Sequence, residues 1–224
     1  MASNFINMQT AAYNIIKEKI LTTEYKPGEK VTEQLISQDI NLGRTPVREA
    51  FIHLKNDGLI TVLPQNGTYI SKIDLQSAEN ARFVREHLEK ELVAEAVVHN
   101  KELLSYELQR NLNLQRVYND NHDVFSFLKM DDEFHQTFYK FAKREQIWRW
   151  IQNINFHMTR FRYLRLTMPN LKWDNIIKQH TKIIELVETS TNSTALEKLV
   201  AEHLKLMLTE QESVIEVYPN YFDM

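Results

Sequence analysis

Three histidines and one aspartate in the C-terminal two thirds of the chain occupy positions where apolar side chains are expected. Each lies on a stripe of apolar residues repeating every three or four positions, which is the spacing of one helix face. Burying a polar group without a partner costs roughly 2–7 kcal/mol, and one shared cation would satisfy all four groups. Three imidazoles and a carboxylate suit Zn²⁺, with Ni²⁺ and Mn²⁺ as alternatives. The residues are Asp131, His135, His180 and His203.

The stripes predict the helices that must bring these groups together. Asp131 and His135 share a helix predicted from about Asp123 to Ala142. His180 lies at the centre of a second predicted helix, over 173–187, and His203 at the centre of a third, over 194–207, which the pair Thr194 and Glu197 would cap. A hydrogen-bonded histidine cluster around water is the alternative to a metal site.

Arg85 raises the same question, because it lies on the predicted inner face of a helix and a buried guanidinium needs an anion. Glu89, one helical turn further on, is one candidate partner. A carboxylate ligand is the other, since arginine can hold a carboxylate through two hydrogen bonds. The sequence leaves both open. Three further arginines are candidates with weaker placement: Arg160, Arg162 and Arg165.

Glycine and proline divide the chain into two regions. All four glycines and three of the five prolines lie within the first 67 residues, and no glycine follows Asp74. Because these residues mark turns, the first region consists of short elements and the second of long helices. The predicted domains are therefore 1–73 and 74–224, with Asp74 as the N-cap of the next helix.

The first region has the pattern of a winged helix-turn-helix. Three short helices are predicted near 12–20, near 33–40 and from Thr45–Pro46 onward, with Thr45 as N-cap. Two strand-like runs then flank Asn66–Gly67, as in a hairpin. The predicted fold class is mainly α: a winged helix-turn-helix followed by an all-α antiparallel helical bundle.

The start of the third helix carries the groups that could contact DNA. Arg44 and Arg48 are four residues apart at its outer end, and arginine can bind guanine through two hydrogen bonds. Thr45 can bind a phosphate, and Gly67 allows the hairpin backbone to approach the minor groove. The alternative is that both arginines are solvated surface charges.

Composition limits the function classes. The chain of 224 residues contains no cysteine, which excludes disulfides and thiolate chemistry and suits a reducing cytoplasm. No apolar run is long enough to span a bilayer. The net charge of −3, and the balance of basic and acidic side chains within residues 1–74, count mildly against nucleic acid, so a DNA interaction depends on where the charges lie.

Residues 43–51, GRTPVREAF, together with Leu54, the segment 57–60 (DGLI) and the segment 67–70 (GTYI), closely resemble the GntR family of bacterial regulators. The corresponding family pattern is SRTPVREAL, a DGL segment and a glycine-containing wing, and the resemblance covers residues 8–73. It implies that Arg44, Thr45, Arg48 and Gly67 contact DNA. Gly43 stands where the family usually has serine, which implies that a phosphate contact is lost.

The second region resembles the FCD effector domain of the FadR subfamily of GntR regulators, over residues 75–215. The resemblance is carried by Arg85 with Leu88–Glu89, by Asp131 with Phe134–His135, and by the pairs Gln179–His180 and Glu202–His203. It implies a dimeric helical bundle that binds a metal through Asp131, His135, His180 and His203. It also implies a small carboxylic acid as effector, with Arg85 contacting it.

The hypothesis that follows is a cytoplasmic homodimeric regulator, not an enzyme, whose affinity for operator DNA is controlled by an acid bound at the metal, most simply zinc. Two other functions remain open from the residues. A metalloenzyme could activate water beside Asp132 or Glu133, although both lie off the Asp131–His135 stripe. In the third hypothesis the metal has only a structural role.

Overall fold

The computed structural model describes residues 2–169, 173–189 and 193–223. The chain forms two compact units. One contains the residues up to Leu75 together with those from Ile215 onward, and the other contains Gln76–Val214. The mainly helical architecture predicted from the sequence is confirmed. The limits of the functional domains, 1–73 and 74–224, stay a prediction.

The first unit is built on three helices: α1 (Ala2–Leu21), α2 (Glu33–Asp39) and α3 (Arg44–Asn56). Helices α1 and α2 pack against α3. The buried residues of this unit include Ala12, Ile16, Val47 and Leu54, which the apolar spacing placed on inner faces. Thr32 caps α2, because its side-chain oxygen accepts a hydrogen bond from the Leu35 N–H.

Helix α3 begins earlier than predicted. Gly43, not Thr45, is its N-cap, with extended backbone at φ −61° and ψ 157°. Pro46 is therefore the third helical residue and not the first. This position tolerates proline because the first N–H groups of a helix have no partner within it.

The predicted hairpin is confirmed. Strands β2 (Ile60–Leu63) and β3 (Gly67–Ile70) pair antiparallel, with Leu63 opposite Gly67. The turn is made by residues 64–66, and Gln65 adopts a positive φ of 61°. A strand that the sequence did not indicate, β1 (Lys30–Val31), pairs with the other edge of β3.

The end of the chain contributes a strand to the first unit. Strand β4 (Ile73–Asp74) pairs in parallel with β5 (Phe222–Asp223), and Ile73 lies opposite Phe222. The side chains of both are buried. The sequence contained no signal for this pairing, because each strand has only two residues.

The second unit consists of packed helices. The first helix is interrupted at Asn100, whose φ and ψ are not helical. The Asn100 side-chain oxygen accepts a hydrogen bond from the Leu103 N–H at 3.0 Å, so the asparagine caps the second segment. The helices are α4 (Leu75–Asp120), α5 (Val124–Phe141), α6 (Glu145–Ile154), α7 (Phe156–Thr167), α8 (Asp174–Thr189), α9 (Thr194–Leu204) and α10 (Leu206–Val217).

The helix ends correct two predictions. Ser193, not Thr194, is the N-cap of α9, and it forms no side-chain capping bond. The helix predicted over 194–207 ends at Leu204, where the Lys205 N–H bonds to Glu202 O at 3.2 Å and so tightens the last turn. The predicted stripe thus spans the end of α9 and the start of α10.

The interior of the second unit is apolar around the polar cluster. Its main core includes Phe134 and Phe138 of α5 and Ile183 and Ile184 of α8. The ring of Phe134 stacks on that of His180, with centroids 3.9 Å apart. Among the described residues, no helix is long and apolar enough to cross a membrane.

Candidate functional site

Four buried polar side chains from three helices meet inside the second unit. Asp131 and His135 come from α5, His180 from α8 and His203 from α9, and one ligand atom from each lies within 4.8 Å of the others. The Nε2 atoms of His135 and His203 are 3.1 Å apart, and those of His180 and His203 are 3.3 Å apart. The structure therefore brings together the four residues that the stripes singled out.

The other nitrogen of each imidazole contacts an oxygen acceptor. A carboxylate accepts from one ring and side-chain amides from the other two, so each Nδ1 carries the hydrogen and each Nε2 presents a lone pair. Such contacts fix the tautomer and orientation of metal-binding histidines. The pairs are His135 with Glu89 (2.6 Å), His180 with Gln115 (2.8 Å) and His203 with Gln179 (2.8 Å).

The orientation of the Gln115 amide has independent support. Its Nε2 donates to the Oδ1 of Asn111 at 2.7 Å, which leaves the amide oxygen for His180. Gln115 is completely buried, so both of its polar ends depend on these partners.

This donor set fits a divalent cation. With the hydrogens on Nδ1, the three Nε2 atoms are acceptors only and cannot bond to one another. Asp131 Oδ1 has no hydrogen-bond partner among the described residues and lies 3.5 Å from His180 Nε2. Several acceptors facing one point without a donor are satisfied by a cation, and three nitrogens with one carboxylate oxygen suit Zn²⁺.

The protonation states also favour a cation. Burial lowers the pKa of His180 to about 3, although Asp131 acts in the opposite direction. Burial and the neighbouring imidazoles hold the pKa of His203 well below its usual range. Burial alone would raise the pKa of Asp131, but the Arg162 guanidinium and the imidazoles keep that pKa far below the ordinary value. His180 and His203 are thus neutral imidazoles, and Asp131 is an ionised carboxylate.

A cavity of about 60 Å³ adjoins the cluster and is bordered by Asp131, His135 and His203. Since one water needs roughly 10–15 Å³ of such volume, the cavity suits about four to six heavy atoms. Three of its lining residues are arginines, Arg85, Arg162 and Arg165. The rest of the lining is apolar: Met158, Ile176, Leu204, Leu206 and Met207.

Arg85 has an internal partner and also faces the cavity. Its Nε donates to Glu89 Oε1 at 2.8 Å, and its guanidinium lies 5.5 Å from the centre of the Trp148 ring. Burial would lower the pKa of Arg85, but Glu89 and Asp132 raise it above its ordinary value. Nη1 is 3.9 Å from Asp132, and Nη2 has no hydrogen-bond partner among the described residues. The structure is thus compatible with both partners that the sequence left open. Glu89 accepts from Nε, and Nη2 remains available to an anion.

The three arginines with weaker placement in the sequence, Arg160, Arg162 and Arg165, differ in whether they line the cavity. Arg162 of α7 forms ion pairs with Asp131 and, at 2.6 Å, with Asp132. Arg165 forms an ion pair with Glu210 of α10. Arg160 is completely buried and does not line the cavity. Arg162 and Arg165 are therefore the two that join Arg85 at the cavity.

The predicted DNA-binding residues lie on the first unit. Arg44, Thr45 and Arg48 are all exposed in the first turns of α3. Gly67 is the first residue of β3, and its backbone has a φ of +126°, which residues other than glycine rarely adopt. The side chains that would reach DNA are thus accessible, as the prediction requires.

Sequence reasoning did not identify the groups that hold the imidazoles. Glu89 was considered only as a partner of Arg85, and Gln115 and Gln179 were not assigned a role. The available signal was a polar residue on an otherwise apolar face, which both Glu89 and Gln115 provide on α4. Gln179 is half exposed, so its role follows only from the geometry.

Two family models match the chain. The model for bacterial regulatory proteins of the gntR family matches residues 8–70, and that for the FCD domain matches residues 81–206. The HTH-type transcriptional repressor RspR of Escherichia coli strain K12 is 30% identical over 196 residues, covering 86% of this chain and 84% of that protein. The HTH-type transcriptional regulator YdhC of Bacillus subtilis is 26% identical, covering 88% and 91%.

Solved structures share the fold. E. coli McbR/YncC superposes with a TM-score of 0.75 at 17% identity, covering 94% of this chain and 98% of that one. A transcriptional regulator described as GntR from Rhodococcus superposes with a TM-score of 0.67 at 15% identity and the same coverage.

Proposed function

This chain belongs to the GntR family of bacterial regulatory proteins and is a DNA-binding transcription regulator, and we propose that a small carboxylic acid bound at a metal in its helical unit controls its affinity for operator DNA. The relatives it matches are regulators and not enzymes.

One observation carries the proposal: the cluster of Asp131, His135, His180 and His203 borders a small cavity lined by three arginines. A divalent ion at the cluster, with zinc as our first choice, would supply a Lewis-acid centre with a coordination position open to a carboxylate. Arg85 would hold the same carboxylate through Nη2, which is buried without a hydrogen-bond partner among the described residues.

In the first unit, Arg44 and Arg48 would contact guanine edges in the major groove, and Thr45 would bind a phosphate. Gly67 would bring the hairpin backbone close to the minor groove. We expect a homodimer in the cytoplasm, because two recognition helices related by a two-fold axis match a pseudo-palindromic operator. The acid would act by binding more tightly to one arrangement of the dimer than to the other.

The two alternatives have less support. Asp132, one of the two carboxylates considered for activating water beside Glu133, is held in an ion pair with Arg162 at 2.6 Å, and the relatives that the chain matches are regulators. A purely structural metal leaves the arginine-lined cavity beside it without a role.

A thermal-shift screen of short carboxylic and sugar acids, with and without a chelator, tests the proposal. We expect an acid that raises Tm only when metal is present and that changes binding to labelled DNA from upstream of the protein's own gene. If chelation lowers Tm and no acid raises it, the metal is structural and the proposal fails.

The matched variants are Arg85→Lys and Arg82→Lys. Both arginines lie on α4 and are buried, but Arg82 pairs with Glu79 and Glu86 and does not line the cavity. Lysine keeps the charge but cannot donate to Glu89 from Nε and to the carboxylate from Nη2 at the same time in the geometry of arginine. We expect Arg85→Lys to weaken acid binding at least tenfold and Arg82→Lys to leave it unchanged. Equal effects of the two substitutions would show that the Arg85 assignment is wrong.

A further inference from the structure

Glu89 is a carboxylate buried in the helical unit, and each of its two oxygens contacts a different functional side chain. Oε2 lies 2.6 Å from Nδ1 of the candidate metal ligand His135. Oε1 lies 2.8 Å from Nε of Arg85 and accepts a longer hydrogen bond, 3.3 Å, from the Tyr139 hydroxyl. An ionised carboxylate can only accept hydrogen bonds, so every partner must donate.

The contact with His135 determines which of its ring nitrogens faces the cluster. Since Nδ1 donates to Glu89, Nε2 carries the lone pair, and Nε2 is the atom that lies 3.1 Å from His203 Nε2. The other two imidazoles rely on glutamine oxygens, and an amide could present either its oxygen or its nitrogen. Glu89 has no donor to offer and so permits one tautomer only.

The contact with Arg85 determines which edge of the guanidinium faces the cavity. Nε is occupied by Glu89, and the guanidinium carbon lies 5.5 Å from the centre of the Trp148 ring. The terminal nitrogens are left, and Nη2 is the one without a hydrogen-bond partner among the described residues. The carboxylate that orients the metal ligand therefore also orients the anion-binding group.

We propose that Glu89 is a positioning residue that links the metal ligand His135 to the anion-binding Arg85, so that this side chain adds to the mutual strengthening of metal and carboxylate binding. The proposal rests on the proposed function and adds a residue that carries part of the coupling. A cation at Nε2 draws electron density from the ring and strengthens the Nδ1–H bond to Glu89, which holds the carboxylate in place for Arg85. By linkage, the anion must tighten metal binding by the same factor.

The competing explanation is that Glu89 only neutralises Arg85 as a static buried ion pair. In that case its replacement would lower stability without changing the tautomer of His135 or the linkage between the two ligands. The test must therefore read the tautomer and the linkage directly.

Glu89→Gln is the decisive variant. Glutamine has the same shape but offers one acceptor and one amide donor, so it cannot accept from both partners. If the amide nitrogen faces His135, the ring must move its hydrogen to Nε2 and lose its metal-facing lone pair. If it faces Arg85, the guanidinium must turn away.

The matched control is Glu86→Gln. Glu86 is a buried glutamate on the same helix, three residues earlier; it is paired with Arg82 and Lys205 and is neither a candidate ligand nor a residue of the cavity lining. Its replacement measures the effect of removing a buried carboxylate from α4 that contacts neither His135 nor Arg85.

Three measurements on the full-length chain distinguish the explanations: long-range proton–nitrogen spectra of the metal-free histidines, Co²⁺ titration followed by the ligand-field absorption, and acetate binding with and without Co²⁺. In the wild type and in Glu86→Gln we expect an Nδ1–H tautomer at His135, and acetate and Co²⁺ that each tighten the other. In Glu89→Gln we expect Nε2–H at His135, alone or mixed with Nδ1–H, and Co²⁺ affinity lower by about ten- to a hundredfold. Whichever way the amide turns, we expect the linkage to be weaker than in the wild type, because only the direct contact between acetate and the ion would remain.

Each other outcome is informative. An unchanged tautomer together with wild-type linkage in Glu89→Gln overturns the role of Glu89 while the proposed function stands. A wild type that binds no Co²⁺ overturns the metal site and this proposal with it. If Glu89→Gln does not fold, the double variant Arg85→Met with Glu89→Gln removes both buried charges, and the tautomer and cobalt affinity are read on that protein with the same criteria.

Discussion

The Nε2 atoms of His135 and His203 lie 3.1 Å apart inside the protein, and both rings donate from Nδ1 to other side chains, so the two lone pairs face each other. Without a cation this contact is repulsive and the buried acceptors are unsatisfied, which costs folding free energy. With a cation the same contact is stabilising.

We therefore predict that chelation lowers Tm and that Zn²⁺ restores it. A ligand present at a hundred times its Kd stabilises the folded state by about 2.7 kcal/mol. Metal analysis should find one divalent ion per chain, and His203→Ala should lose both the ion and the response to chelator. A Tm that does not respond to chelator in the wild type would contradict the metal site.

The second prediction concerns the exposed arginines of α3. Arg44→Ala and Arg48→Ala should each weaken specific DNA binding by about 5- to 150-fold in a gel-shift assay, because a two-point contact with guanine contributes about 1–3 kcal/mol of discrimination. Both side chains are exposed, so the fold should be retained. Lys55→Ala is the matched control, an exposed basic residue in the last turn of the same helix. Wild-type affinity of either arginine variant would refute the corresponding contact.

The third prediction concerns the backbone of the hairpin. Gly67 has a φ of +126°, and an added Cβ would lie 2.7 Å from Lys30 Cε. Gly67→Ala should therefore destabilise the protein by about 1–3 kcal/mol and weaken DNA binding, since non-glycine residues are strained in this region. Gly43→Ser is the control, because Gly43 has an ordinary φ of −61°, its added Cβ would only touch Pro46 at 3.6 Å, and serine is a preferred N-cap. Equal stability of the two variants, measured by urea unfolding, would contradict the strain argument.

The fourth prediction is a pH dependence of the chelated protein. Burial lowers the pKa of His180 to about 3, from 6.5 for an unperturbed imidazole, and lowers that of His203 as well. Below pH 6.5 the unfolded chain takes up protons that the folded chain refuses, so the free energy of unfolding should fall as the pH drops from about 6.5 toward 3. Above pH 6.5 this contribution is fully present.

Urea unfolding at a series of pH values measures this slope. His180→Asn should flatten it, whereas His99→Asn, which replaces an exposed histidine of α4, should leave it unchanged. The same slope in all three proteins would mean that the buried imidazoles are not the source.

The buried faces of the helices were predictable because buried positions recur every three or four residues along the sequence. Asp131 and His135 are four residues apart on one helix, and a polar residue on an apolar stripe is visible without coordinates. Helix ends were less predictable: Gly43 caps α3 where Thr45 was expected, and α9 ends at Leu204, because caps depend on single local hydrogen bonds.

The sequence alone established that Arg85, Asp131, His135, His180 and His203 face inward on their helices, because helical periodicity is local. It also established the organisation into a winged helix-turn-helix followed by a helical bundle, because glycine and proline mark turns. The tertiary structure alone decided that Glu89, Gln115 and Gln179 hold the three imidazoles, and that Arg162 and Arg165 join Arg85 at the cavity. These contacts join residues that are far apart in the sequence. Whether such residues meet depends on how the helices pack against one another, which the periodicity of a single helix does not determine.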